Sequence, residues 1–331
     1  MSSQGYCPRH SLLQRRLPGL MPFVLSVLCL PIASVGVASE PEPTRMDAIQ
    51  SLRLDSIPGE MPTFYSPGAE LRAKYLQSLL GGEIAYYATQ FHVHFAPMTM
   101  AVLNANQWPR VVADNPYGMP SVSEKAPYVF VMPASWKEVT WMPFPTREEV
   151  APAILRRALA NGRTWRQIQF EGGDGIGTHE IGHSVIDQLG IDAQTYWFNE
   201  FLASYVGYAY LKARDPRQAL SSEIFWTHGL KAPHPFTKLD DFESRYGELG
   251  EKYPANYGWY QVALDQRVIE IYRQSGIDYL RLIRAQFPKG APTLNSTQLL
   301  DKLEGISPGW KAWSIRLEAG DPKAVTLGAS P

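Results

Sequence analysis

The stretch GTHEIGHSVID, Gly177 to Asp187, carries two histidines four residues apart, with a glutamate directly after the first. Residues four apart share a face of a helix, so His179 and His183 would turn their imidazoles toward one ion. Glu180 is rotated by about 100° from His179, which sets it at the flank of that ion. Hydrolytic zinc takes three protein ligands and keeps a fourth position for water. The third ligand is expected from YWFNEFLASYVGYAYL, a second helical pattern in which Glu200 follows His183 by seventeen residues. A turn from Gly190 to Thr195 would return the chain antiparallel and bring Glu200 beside the histidines.

Each residue type suits the chemistry. Two neutral imidazoles and one carboxylate leave a zinc centre with net positive charge, which draws the pKa of a coordinated water toward neutrality. Glu180 is the expected general base: it takes that water's proton and later hands it to a leaving amine. One Zn2+ per chain is the expected cofactor. The competing interpretation is a solvated helix face that happens to carry histidines, and Ile181, Val185 and Ile186 oppose it by giving this helix a buried side.

Residues 1–38 read as a secretory signal: Arg15 and Arg16 precede an uncharged run from Leu17 to Ser39 that closes on Gly36, Ala38 and Ser39. An uncleaved anchor over residues 17–39 is the alternative, opposed by Pro22, Pro31 and the small-residue end. The protein is therefore expected to be exported, periplasmic or secreted. Cys7 and Cys29 are the two cysteines and both fall in this leader, so the mature chain would hold a metal by His, Asp or Glu alone. The net charge of −1 and the lack of a basic block give no electrostatic reason for a nucleic-acid partner.

Past an extended N-terminal segment, 39–66, a domain is expected over 67–320, with a tail at 321–331. Its first part, 67–165, opens on a helical spacing from Pro67, interrupted at Gly81 and Gly82. HVHFAPMTMAVLNANQW and YVFVMPASW then read as strands of a small mixed sheet. TREEVAPAILRRALANG predicts a helix capped by Thr146, with Glu148 and Glu149 in its first turn and Gly162 past its end. The part from 166 to 320 is mainly helical. Gly172, Gly173, Gly175 and Gly177 read as breakers, so the histidine helix is expected to start near Thr178 and to end at Gly190. The fold class is α+β.

Over roughly Pro127 to Arg284 these residues resemble the gluzincin metallopeptidases, which include thermolysin and the zinc aminopeptidases. HEIGHSVID is similar to the thermolysin-type helix, and WFNEFLASYVGY to the aminopeptidase pattern in which Asn-Glu precedes an apolar pair and Ala. The resemblance implies a zincin-like fold with the metal between the two lobes and a peptide or protein as substrate. It also implies a histidine-orienting role for Asp187, a supporting position for Asn199 and an oxyanion-stabilising phenol at Tyr257, with Tyr253 and Tyr260 nearby. The segment NPYGMPSVS stands about where a substrate-pairing edge strand would lie, which puts Tyr117, Gly118 and Met119 at the substrate. Two departures stand out. Ser204 replaces the aspartate that thermolysin-like proteins carry there, and the segment with which aminopeptidases hold a free N-terminus is missing.

Other histidines are weaker candidates. His92 and His94 alternate on an expected strand and read as a polar sheet face rather than a second metal site. His228 and His234 lie in an expected loop. Two further functions compete with peptide hydrolysis: hydrolysis of another amide or ester in envelope material, and a binding protein that keeps the fold without turnover. The intact Glu180 opposes the last, since a structural zinc site has no use for an unliganded base.

Overall fold

The run YVFVMP is apolar on both faces, the pattern of a strand covered on two sides. In the computed structural model, which describes residues 44–113, 115–123, 128–141, 146–148, 150–229 and 232–321, it lies near the centre of a five-stranded mixed sheet. The strands are β1 (Asp55–Ile57), β2 (Thr63–Tyr65), β3 (Met98–Leu103), β4 (Ser121–Val122) and β5 (Tyr128–Pro133), in the order β1-β2-β3-β5-β4. β2, β3 and β5 are parallel, with Met98 opposite Tyr128 and Leu103 opposite Pro133. Both edges, β1 and β4, run antiparallel to their neighbours.

Alternation along the strands divides the sheet between two cores. Met98, Met100, Val102, Phe130 and Met132 face the main helical core. Ala101, Leu103, Val129 and Val131 face the other way, against Trp108, Val111, Val112 and Ile49 of α1 (Arg45–Ser51). The extended segment expected over 39–66 is thus only partly that: from Arg45 it contributes a helix and two strands. The expected leader, residues 39–43 and the tail after Asp321 lie outside the described residues.

Helices make up most of the rest. α2 (Glu70–Leu76) continues through a π-helical turn, Gln77–Gly81, into α3 (Gly82–Phe91), so the two glycines do not interrupt it. Gly82 is instead a contact point, since a Cβ there would meet the Tyr210 hydroxyl at 2.5 Å. His92 caps α3 in the left-handed conformation at φ 52°, so it and His94 do not alternate on a strand. The helix expected from Thr146 starts later, as α4 (Pro152–Ala160), because Pro152 at its first turn presets the backbone and has no N–H to satisfy. Gly162, at φ 69°, follows its end as expected.

α5 (Trp165–Gln188) corrects the largest expectation. It begins thirteen residues before Thr178, on a capping box in which Thr164 Oγ1 accepts from Gln167 N at 3.3 Å and Gln167 Oε1 accepts from Thr164 N at 2.9 Å. The glycine run passes through it without a break. Each glycine in a helix costs about 0.5–1 kcal/mol relative to alanine, and here close packing offsets that cost: a Cβ on Gly173 would meet Trp136 at 2.7 Å, and one on Gly177 would meet Met132 at 2.9 Å. Between them, buried Asp174 accepts two hydrogen bonds from Arg72 of α2 and one from Trp136 Nε1 at 2.7 Å. That network ties the first half of α5 to α2 and to the segment after β5.

α6 (Tyr196–Arg214) packs antiparallel on α5, the most extensive helix pairing of the fold. α7 (Pro216–Gly229), α8 (Leu239–Lys252) and α9 (Pro254–Ser275) cover that pair. α10 (Asp278–Gln286), α11 (Ser296–Ile306) and α12 (Trp310–Glu318) follow. Many of the rings fill the core: Trp108, Trp197, Trp259, Trp310 and Trp313 are fully buried. Among the described residues no helix is long and apolar enough to cross a membrane.

Candidate metal centre

The α5–α6 pairing depends on two glycines. A Cβ on Gly182 would lie 2.5 Å from the Ala203 carbonyl oxygen, and one on Gly207 would lie 2.8 Å from Thr178 Oγ1. With no side chain at either position the backbones close, and the expected turn through Gly190, at φ 74°, reverses the chain into Thr195. Thr195 caps α6, its Oγ1 accepting from Phe198 N at 3.3 Å.

This register brings Glu200 opposite the histidines. Glu200 Oε2 lies 3.1 Å from His179 Nε2 and 3.8 Å from His183 Nε2. One ligand atom from each of the three residues falls within 4.8 Å of the others, so the group could hold a metal ion. The imidazoles meet edge to face with centroids 4.8 Å apart. Glu200 is 3% exposed, His179 16% and His183 27%, which leaves the histidine side as the approach. Ile181, Val185 and Ile186 form the buried side of α5 as expected.

Two residues that sequence reading did not single out fix the Glu200 carboxylate. Tyr246 of α8 donates to Oε1 at 2.5 Å, and Gln261 Nε2 of α9 donates to Oε2 at 2.7 Å. Tyr257 lies beside them, its ring edge-on to Tyr246 at 5.9 Å and stacked on Phe242 at 5.9 Å. Tyr253 and Tyr260 do not join this group: Tyr253 packs on Phe236, and Tyr260 donates to the Lys238 carbonyl.

The electrostatics follow from burial and pairing. Burial alone would raise the pKa of Glu200, but the His183 charge and the hydrogen bonds from His179 and Tyr246 hold it at about 2. Burial disfavours the charged form of His179, yet the hydrogen bond and charge of Glu200 outweigh it and lift the imidazole to about 8. His183 is pushed down to about 4, mainly by burial. Burial raises Glu180 to about 7 against the opposing charge of His179. Glu180 is half-buried, and among the described residues no hydrogen bond holds its carboxylate. Tyr246 and Tyr257 are both raised well above the usual phenol range, first by burial and then by the Glu200 charge.

Asp187 does not take the histidine-orienting role. It is 58% exposed and pairs with Lys289 at 2.6 Å. A hydroxyl stands behind the first histidine instead: His179 Nδ1 lies 3.0 Å from Ser204 Oγ. Asn199 neighbours His183, whose Nδ1 is buried without a hydrogen-bond partner.

The edge strand lies two residues later than Tyr117–Met119. Those three residues belong to a turn that packs inward. Tyr117 Oη accepts from Ser135 N and donates to Ser135 O, both at 3.2 Å, while Gly118, at φ 86°, lies against Val139. The edge itself is Ser121–Val122 of β4, which packs along α5. Arg45 of α1 donates to the Ser121 carbonyl at 3.4 Å, and its charge acts on Glu180. Of the weaker histidines, His234 stacks on Trp259 at 4.3 Å with Nδ1 2.6 Å from the Ala232 carbonyl, and the His228 side chain lies outside the described residues. No family model matches this chain, and no curated protein or solved structure matches it either.

Proposed function

We propose that the chain is a zinc-dependent hydrolase of the gluzincin type, with peptide bonds as its substrate. The observation that carries this is the convergence of His179, His183 and Glu200 to within 4.8 Å, with Glu180 at their flank and a short edge strand along the same helix. The donor set fits zinc: two imidazoles, one carboxylate, no thiolate, and an approach left open on the histidine side. Zinc bound there supplies a Lewis acid that polarises a carbonyl and acidifies a water.

The residues of the chain then have distinct tasks. Tyr246 and Gln261 keep Glu200 ionised and aimed. Glu180, with its pKa near 7, accepts the proton of an attacking water at neutral pH and returns it to the leaving group. Tyr257 donates a hydrogen bond to the negative charge that develops on the substrate carbonyl oxygen. β4 offers backbone groups to an extended segment of substrate, with Arg45 at that edge.

Metal analysis of the full chain together with Glu180→Gln tests the reading. One zinc per chain, turnover of a peptide library by the unaltered protein, and loss of turnover with zinc retained in the variant are expected. Failure to bind zinc without chelators present would overturn the metal assignment, and bound zinc without turnover of peptides or envelope material would overturn the hydrolase.

A further inference from the structure

We infer that the cavity at the start of α5 is a specificity pocket for an acidic stretch of the peptide substrate, about five residues from the bond that is cut. The inference deepens the peptide-hydrolase reading and rests on it.

The cavity has a volume of about 620 Å³, inside the range of about 300–1,000 Å³ usual for ligand pockets. Trp136, Trp165 and Phe170 form its apolar part, and three exposed cations, Lys137, Arg147 and Arg166, stand around them. The Arg166 guanidinium lies over the Phe170 ring, 5.4 Å from its centroid. No acid lines the cavity: Glu138 and Glu148, next to two of the cations in sequence, are exposed and outside it. A cleft rimmed by one sign of charge attracts the opposite sign, and here the low-dielectric walls are aromatic. Carboxylates carried on an extended chain suit both features.

Two lines connect this cavity to the metal centre. The first is α5 itself. Gln169 lines the cavity, and Glu180 follows it by eleven residues. Eleven residues make about three turns, so the two share a face and stand about 16 Å apart along the helix. Ile176, on the same face between them, is half-buried like both of them. The second line is the sheet edge. Met132 at the end of β5 lies against Gly177, and Trp136 lies against Gly173, so the chain leaving β5 runs toward the start of α5. β4 is antiparallel to β5, with Val122 beside Phe130 and Ser121 beside Val131. The turn before β4 sets Gly118 against Val139, a wall of the cavity. A substrate strand laid on the β4 edge and passing from Val122 toward Gly118 therefore arrives at the cavity. At about 3.3–3.6 Å per extended residue, about five residues cover the interval. The cations stand at one end of this path, which confines the preference to one side of the scissile bond.

Turnover of peptides with one fixed central sequence by the zinc-loaded full chain tests the pocket. One peptide carries a run of glutamates before the cut, a second carries it after the cut, each centred about five residues away, and a third has glutamines at both places. One acidic peptide is expected to exceed the glutamine peptide about tenfold in kcat/KM, since each partly exposed ion pair contributes up to about fivefold, and the other acidic peptide to match it within about twofold. Arg166→Gln combined with Lys137→Gln is expected to abolish the gain. Both side chains are exposed, so the melting temperature is expected to hold. Arg156→Gln removes an exposed charge of α4 outside the cavity and is expected to keep the gain. Equal gains from both acidic peptides, or the same loss in Arg156→Gln, would assign the effect to overall charge and overturn the inference. Stronger inhibition by inorganic polyphosphate than by an acidic peptide of equal charge would make the ligand a phosphate polymer and overturn the peptide assignment. A full chain that cuts no peptide would overturn the hydrolase reading instead. Fluorescence anisotropy of the labelled acidic and glutamine peptides then judges the pocket separately: equal binding of the two would overturn it, and a preference lost in the double variant would support it.

Discussion

Gly182 of α5 and Ala203 of α6 touch backbone to backbone: a Cβ on Gly182 would stand 2.5 Å from the Ala203 carbonyl oxygen. The contact lies one residue before His183 and three after Glu200, so it sets the distance across which the imidazoles meet the carboxylate.

Gly182→Ala is therefore expected to harm both the fold and the centre. The added methyl gains about 0.5–1 kcal/mol of helix propensity, but it meets backbone that cannot rotate away, and overpacking of this kind costs about 1–3 kcal/mol. The expected outcome is a lower melting temperature together with weaker zinc binding, measured by calorimetry and chelator competition. Gly305→Ala, on α11 with open space around its Cβ, is the matched control and should be neutral or slightly stabilising. Equal effects from the two substitutions would show that the close approach does not govern the site.

What sequence could reach was the local part of this arrangement. His179, His183 and Glu180 follow from one helical period, and Glu200 follows from a short turn with a glycine at its start and a threonine cap at its end. What escaped depends on partners distant in the chain. The glycines of α5 look like breakers until Trp136, Met132 and Ala203 are placed against them. Asp187 pairs with Lys289, and the groups that hold the Glu200 carboxylate, Tyr246 and Gln261, come from helices with no motif of their own. β1 and β2 are three residues each, too short for alternation to stand out.

The two tyrosines near Glu200 should separate by assay. Tyr246 donates to Glu200 Oε1 at 2.5 Å, so Tyr246→Phe strips a buried carboxylate of a donor and is expected to weaken zinc binding about 10- to 100-fold. Tyr257 packs against Tyr246, ring centroids 5.9 Å apart, without a hydrogen bond to the Glu200 carboxylate in the structure. Tyr257→Phe is expected to keep zinc affinity within about twofold and to lower kcat by about 10²- to 10³-fold, the loss typical of one oxyanion donor. Zinc titration and steady-state kinetics on the same preparations decide the assignment, and a reversed pattern would exchange the two roles.

Zinc affinity and metal-free stability should respond to pH in opposite directions between about pH 6.5 and pH 8. In the metal-free protein His179 is raised from 6.5 to about 8. Its folded form therefore holds the proton more tightly than its unfolded form. That contribution to stability is fully present below pH 6.5 and is lost as pH rises through about 8. Glu180, raised from 4.5 to about 7, acts in the same sense: its contribution is present below pH 4.5 and lost through about 7. His183, lowered to about 4, opposes them only below pH 6.5, where the unfolded chain takes up the proton first. Zinc reverses the trend because a ligating imidazole must be neutral. His179 has to release one proton below about pH 8, whereas His183 and Glu200, at about 4 and about 2, are already deprotonated. Zinc affinity is thus expected to rise about fivefold from pH 7 to 8 and to level off above that. The dependence should be steeper below pH 7, where Glu180 also holds a proton that a nearby cation would expel. Titration calorimetry in buffers of different ionisation enthalpy counts the released protons directly. Zinc binding with no proton release at pH 7 would show that Glu200 does not charge His179 in the metal-free protein.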